Sequence, residues 1–234
     1  MPQMPQTTAS RKLPGGKRTA LTLVILAAHV LFALLGALVA TWALVQLASP
    51  TALEDQQLSA DLFMIAIAGQ LILFCVGGIT FLIWLHRTYA NAQTFSPMTS
   101  TPGKVTASFF LPFAQLVRPY QAIQEMWRSS ETPPQVPTNS KGILAWWLFL
   151  LAWEAVFFVA LDEMPEAAPP SQGWWIASLV GASCAAIAAT LGAWMVFSIR
   201  RRQVKRLAAT IPAWALSADG QSVSYPQSPS FSDR

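Results

Sequence analysis

Charge is the scarcest thing in this chain. Of 234 residues only 11% are Asp, Glu, Lys or Arg, while 53% are hydrophobic. Soluble domains carry about 25% charged residues, so the composition points to a membrane protein. Cysteine and histidine are nearly absent, at two each. Cys75 and Cys184 both fall in apolar runs, with no Cys-x-x-Cys and no Cys/His cluster. The spacing argues against a disulfide framework or a zinc site and leaves two bland thiols. No phosphate loop, dinucleotide-binding glycine pattern, metalloprotease motif or nucleophile elbow occurs. The expectation is therefore a non-enzyme with no catalytic residue, no bound metal and no cofactor.

What is present is long apolar runs. A membrane-spanning helix needs about 20 mostly apolar residues. Four segments qualify: Leu21–Leu47, Leu62–Leu85, Ile143–Leu161 and Trp174–Ile199. Only helices or closed barrels satisfy the backbone in hydrocarbon, and these runs are continuous rather than alternating. The fold class expected is all-α integral membrane, with a cytoplasmic re-entrant or amphipathic segment between the second and third spans. The first run is too long for the roughly 7–15 residues of a signal-peptide core. Cleavage after Ser49 would also leave Pro50 at the new terminus.

A second absence sets the orientation. The chain has 15 Lys and Arg, yet none lies in the loops 48–61 and 162–173. Those loops carry Glu54, Asp55, Asp61, Asp162, Glu163 and Glu166 instead. The cations sit in the N-terminal arm, the central segment, and the run from Arg200 to Arg206. Cytoplasmic loops collect Lys and Arg, so both termini and the central segment should be cytoplasmic. Trp42, Trp84, Trp146, Trp147, Trp174, Trp175 and Trp194 lie near span ends, as an aromatic belt would. Residues 1–19 and 207–234 read as disordered tails flanking a transmembrane domain over 20–206.

The fourth span carries Ala177, Gly181, Ala185, Ala189 and Ala193 at four-residue spacing. Such a stripe lets another helix come close, either within the bundle or in a homo-oligomer, with Gly36 and Ala40 as partner surface. Arg200–Arg206 is a stop-transfer signal first and a site for anionic lipid headgroups second. Nucleic acid is not expected, because this basic run abuts the membrane.

The central segment is the most patterned stretch. The second span continues as a helix through Trp84, His86, Arg87, Tyr89 and Asn91 to about Thr94. A Pro- and Ser-rich turn follows. Val105–Val117 is apolar but broken by Pro112, too short to span, and suits a re-entrant or interfacial path. Pro119 fits the first turn of a new helix, with Tyr120, Ile123 and Trp127 on one face and Met126 adjoining. This amphipathic helix, within residues 104–130, would lie in the headgroup plane or cover the cytoplasmic mouth of the bundle.

At these positions the chain resembles a family of bacterial membrane proteins, domain of unknown function 4328. The resemblance rests on Trp84-x-His86-Arg87-x-x-x-Asn91-Ala92, Phe95-Ser96-Pro97 and Phe110-Leu111-Pro112. Pro119, Glu125-x-Trp127-Arg128-x-Ser130 and Trp146-Trp147 complete it. The chain departs at Lys104 and Gln115, where an aromatic residue and Asn are more usual. The resemblance covers roughly residues 20–205 and implies a multi-pass bacterial inner-membrane protein with variable tails. It supplies no activity.

Two functional readings follow. In the first, Trp84, His86, Arg87, Asn91, Pro112, Pro119, Glu125, Trp127 and Arg128 form a cytoplasmic platform for lipid or a protein partner. In the second, His29 and Glu154 serve a small oligomeric transporter or channel. At 1.5 Å per residue, His29 lies about 12 Å along its span and Glu154 about 18 Å along a parallel one, within roughly one turn in depth. An ionisable side chain inside a span is costly and is a functional candidate for that reason.

Overall fold

The computed structural model describes residues 16–47, 53–132, 136, 138–162 and 170–210. The expected tails before residue 16 and after residue 210 lie outside them, as do residues 48–52 and 163–169 of the two acidic loops. Among the described residues there is no strand. Four long helices carry the fold: α1 (Gly16–Leu47), α2 (Leu53–Gln93), α5 (Lys141–Asp162) and α6 (Gln172–Thr210). Two short ones, α3 (Pro102–Ala107) and α4 (Arg118–Ser129), sit between α2 and α5 with a single 3₁₀ turn at Ala114–Leu116.

All four long helices are long and apolar enough to cross a membrane. Their outward faces are hydrocarbon-like. Leu31, Ile65 and Phe158 are 68%, 64% and 69% exposed, and a belt of this kind has no counterpart on soluble monomers. This is the surface of a multi-pass membrane protein. The helices run alternately up and down. α1 begins at Gly16, so Lys17 and Arg18, expected in an irregular arm, stand in its first turn.

Helix lengths are unequal, and that shapes the molecule. At 1.5 Å per residue the 41-residue α2 is about 62 Å long and the 22-residue α5 about 33 Å. The hydrocarbon core of a bilayer is about 30 Å thick. α5 therefore matches one crossing, while α2 and α6 extend past it. Their extensions stand at the end where α1 starts, and α3 and α4 fill the space there. We call this the capped end.

α1 packs on both α2 and α6, and α6 packs on α5. The α1–α6 contact uses small residues. Ala33, Ala185 and Ala186 form one buried cluster, and the position of a Cβ on Gly36 is 3.9 Å from the Ala182 Cβ. Close approach gives dispersion contacts where burial from water is not the driving force. Ala185 and Ala189 of the small stripe are buried, and a Cβ on Gly181 would stand 3.2 Å from Val156 of α5. The stripe serves packing within the chain.

α1 and α2 meet most tightly at Gly69, where an added Cβ would lie 2.3 Å from the Phe32 ring. Gly69→Leu should destabilise the bundle by about 1–3 kcal/mol through overpacking. Phe32→Ala in the same chain should recover part of that loss. Unfolding titrations of the two variants in mixed detergent micelles check it; no recovery would mean the ring is not the obstacle.

Candidate functional site

At the capped end, fifteen buried hydrophobic residues form one cluster, drawn from α2, α3, α4, α5 and α6. Trp84, Leu85 and Tyr89 enter from α2; Ile123, Met126 and Trp127 from α4; Ile143, Trp146 and Trp147 from α5; Met195, Val196 and Ile199 from α6. α4 follows from its sequence. Pro119 sits in the first turn, where its missing N–H costs nothing. Pro119, Ile123, Met126 and Trp127 then recur on the buried side, while Arg118, Gln121 and Arg128 face out.

Polar groups lock this cluster in place. The Glu125 carboxylate accepts from the Tyr89 hydroxyl at 2.7 Å, the Thr99 backbone N–H at 2.6 Å and the Thr99 hydroxyl at 2.9 Å. Buried Gln124 donates to the Ser140 carbonyl at 2.7 Å and accepts from the Ser140 N–H at 2.9 Å. Gln124 thus mimics a strand partner for the chain entering α5. Buried Gln203 of α6 donates to the Thr88 carbonyl at 3.1 Å. Its Oε1 has no donor among the described residues, the kind of cost a well-packed site tolerates once.

The cations of α6 turn inward. Arg202 pairs with Glu131 and lies 3.7 Å over the Trp127 ring. Arg206 donates to the carbonyls of Ser129, of Glu131 at 3.0 Å and of Phe95 at 3.0 Å. Arg201 and Lys205 stay exposed. The basic run therefore divides into two residues that staple the cap and others that face out.

The sequence-predicted platform residues divide in the same way. Trp84, Pro119 and Trp127 are buried, Glu125 is part-buried and engaged, and Asn91 is part-buried with its carbonyl accepting from the Thr94 hydroxyl at 2.7 Å. His86, Arg87, Pro112 and Arg128 are exposed. The His86 Nδ1 lies 3.5 Å from the Thr106 hydroxyl. The buried members bind the cap to the bundle rather than present a surface.

Between α3 and α4 the chain makes a hairpin-like excursion. Phe109 is its first foot, 6.1 Å from Phe81 and 6.4 Å from Trp147 between ring centres. The second foot is the Leu116 carbonyl, which accepts from the Trp147 indole N–H at 3.0 Å. Between them Phe110, Leu111 and Phe113 are 72%, 49% and 85% exposed. Phe113 has φ 62° and ψ −40°, and the Ala114 N–H donates to the Pro112 carbonyl at 2.7 Å. That is a γ-turn of the positive-φ kind, rare and strained for a residue with a side chain.

Deeper in the bundle, a cavity of about 420 Å³ is lined by all four long helices and by Phe109 and Phe110. His29 and Glu154 both line it. They make no hydrogen bond to one another. The His29 Nε2 lies 3.3 Å from the Gln70 amide nitrogen, and its ring stands edge-on to Trp153. Gln70 was not singled out in the sequence. It sits eight residues into the second predicted span, a polar side chain in an apolar run, and that is the signal that would have found it. Among the described residues no three His, Cys, Asp or Glu side chains converge as a metal site would require.

The residues that carried the family resemblance thus collect at one end of the molecule, in the buried cluster, its hydrogen bonds and the exposed excursion. No curated protein matches the chain, and no solved structure does. The model of a family described as a domain of unknown function, DUF4328, matches residues 48–201. The match takes in α2, α3, α4, α5 and α6 as far as Arg201, and leaves α1 and the cap residues Arg202, Gln203 and Arg206 outside. This chain belongs to the DUF4328 family.

Proposed function

We propose that this is a non-enzymatic, multi-pass module of the bacterial inner membrane, with the cap on the cytoplasmic side and the 110–117 excursion seated in the inner leaflet as a lipid-binding edge. The observation that carries it is the exposed, strained apolar tip at Phe113. Strain persists where surrounding structure over-determines it, and it clusters at functional positions. Here Phe109 and the Leu116 carbonyl fix both feet, so the tip cannot fold back to hide its rings. Arg118 follows directly, exposed, at a position suited to lipid phosphate.

Orientation rests on charge. The ends of α1, α2, α5 and α6 that gather at the cap carry Lys17, Arg18, Arg87, Lys141 and the Arg200–Arg206 run. Asp61, early in α2, and Asp162, the last residue of α5, belong to the other end. The non-enzymatic reading is supported by how the cap uses its acids. Glu125 accepts from Tyr89 and Thr99, and Glu131 pairs with Arg202. α4 serves here as an amphipathic cover on the bundle, and the lipid-facing role passes from α4 to the excursion before it.

The test is depth. A single cysteine at Phe113, in a chain with Cys75 and Cys184 replaced by Ser, would carry an environment-sensitive fluorophore in proteoliposomes. Quenching by nitroxide-labelled lipid should exceed quenching by iodide in water. A label at Val136, 80% exposed, should show the reverse. Iodide winning at Phe113 would overturn the reading.

A further inference from the structure

The cavity between the four long helices is not explained by anchoring. α2 and α5 are held apart along it and touch through rings at two levels. Phe74 meets Trp153 at 4.8 Å between ring centres, and Phe81 meets Trp146 at 5.8 Å. Between these two aromatic bridges lie Gly77 and Gly78 of α2, and Ala188, Ala189 and Gly192 face the same space from α6. A Cβ built on Gly78 would meet nothing within 4 Å.

The chemistry of the wall selects the ligand. Pockets for small molecules are mostly apolar with a few placed polar groups, and this one fits that description. Its sole carboxyl among the lining residues is Glu154, half-buried, with no hydrogen bond and no ion pair among the described residues. A carboxylate at span depth needs a partner of opposite charge. His29 is turned to Gln70 and Trp153 instead. Six aromatic side chains line the same space, Phe74, Phe81, Phe109, Phe110, Trp146 and Trp153, and aromatic rings attract cations. A bare metal ion would want several oxygen ligands, and the wall has one carboxyl. An anion would be repelled by it.

We propose that this cavity is a binding site for an organic cation, an amine or quaternary group on an apolar body. Its charge rests against Glu154 and its body lies among Phe74, Phe81, Trp146 and Trp153. The assignment rests on the cavity and Glu154; the excursion lends this wall only Phe109 and Phe110, and the lipid-binding reading of its tip is a separate matter. Binding is also separate from transport: a protein that holds the cation without moving it across the bilayer leaves the assignment intact.

The experiment uses the full chain in lipid nanodiscs and tritiated tetraphenylphosphonium as the probe. Saturable binding of one cation per chain is expected. Glu154→Gln, nearly identical in shape, should weaken it by at least about tenfold, since it removes a unit charge from a site of low dielectric. Gly78→Leu should abolish it by filling the cavity, while helix content and unfolding midpoint stay at the parent values. Excess triphenylphosphine oxide, a neutral molecule of similar bulk, should not displace the probe. The proposal is overturned if saturable binding is absent, if Glu154→Gln binds as the parent does, if Gly78→Leu leaves binding intact, or if the neutral competitor displaces the probe as well as unlabelled cation does. The last outcome would mark a lipid-like apolar site.

Discussion

Trp127→Ala should release α4 from the bundle. The indole is 7% exposed, packs 5.6 Å from Trp194 between ring centres, and lies under the Arg202 guanidinium at 3.7 Å. Truncating a buried Trp costs about 3–5 kcal/mol, from lost transfer energy and the cavity left behind. A cation over an indole adds about 0.5–2 kcal/mol. The loss is local, because the spans keep their own packing. The expected result is rapid tryptic cleavage after Arg128 in detergent, with helix content nearly unchanged; Arg118 precedes Pro119 and is not a tryptic site. Trp127→Phe should show an intermediate effect, keeping a ring for Arg202 with less area. Parent-like cleavage of the Ala variant would mean that α4 is not held through this side chain.

The second large effect is expected at Arg206. Its guanidinium ties three carbonyls from two separate turns, Phe95 after α2 and Ser129 and Glu131 after α4, and stands 5.3 Å from the Phe95 ring. Hydrogen bonds from a charged donor contribute about 1.5–3 kcal/mol each, and they are not additive. Partial exposure reduces the sum, so Arg206→Ala should cost about 2–4 kcal/mol. Arg206→Lys should restore little, since an ammonium cannot reach three acceptors in a planar fork. Hydrogen exchange at residues 94–99 and 126–131 reads the effect directly. Slow exchange there in the Ala variant would show that the carbonyls are satisfied by other means.

Both residues mark the limit of what the sequence discloses. Length and apolar content are local properties, so the four long helices, the Pro119 start of α4 and the end of α2 near Thr94 are legible residue by residue. The buried line Ile199, Gln203, Leu207 was also readable, as a four-residue step continuing past the membrane. Read that way, Gln203 is an inward polar residue in a run of cations. The roles of Arg202 and Arg206 were not readable. A run of arginines after a span has the same composition whether it meets lipid phosphate or backbone carbonyls, and carbonyls leave no mark in a sequence. Glu125 illustrates the middle case. Its position was singled out, but its partners Tyr89 and Thr99 are 36 and 26 residues away and only the fold brings them near. For His29 and Glu154, depth along the helix was a fair guide to their sharing one cavity. Rotation about the helix axis, which decides who bonds to whom, was not available, and Gln70 took the nearer place.

The stapling of the cap by α6 has a consequence for how the chain is made. Phe95, Ser129 and Glu131 are synthesised 111, 77 and 75 residues before Arg206. Chains emerge at about 5–20 residues per second. For several seconds, then, α4 exists without Arg202, Gln203 or Arg206, and its apolar side has only α2 and α5 to rest on. The last helix is a latch that arrives late, and it carries the charge that closes the earlier turns. A chain that ends before residue 200 lacks Arg202, Gln203 and Arg206, so its cap stays open and Trp127 has no guanidinium over its ring.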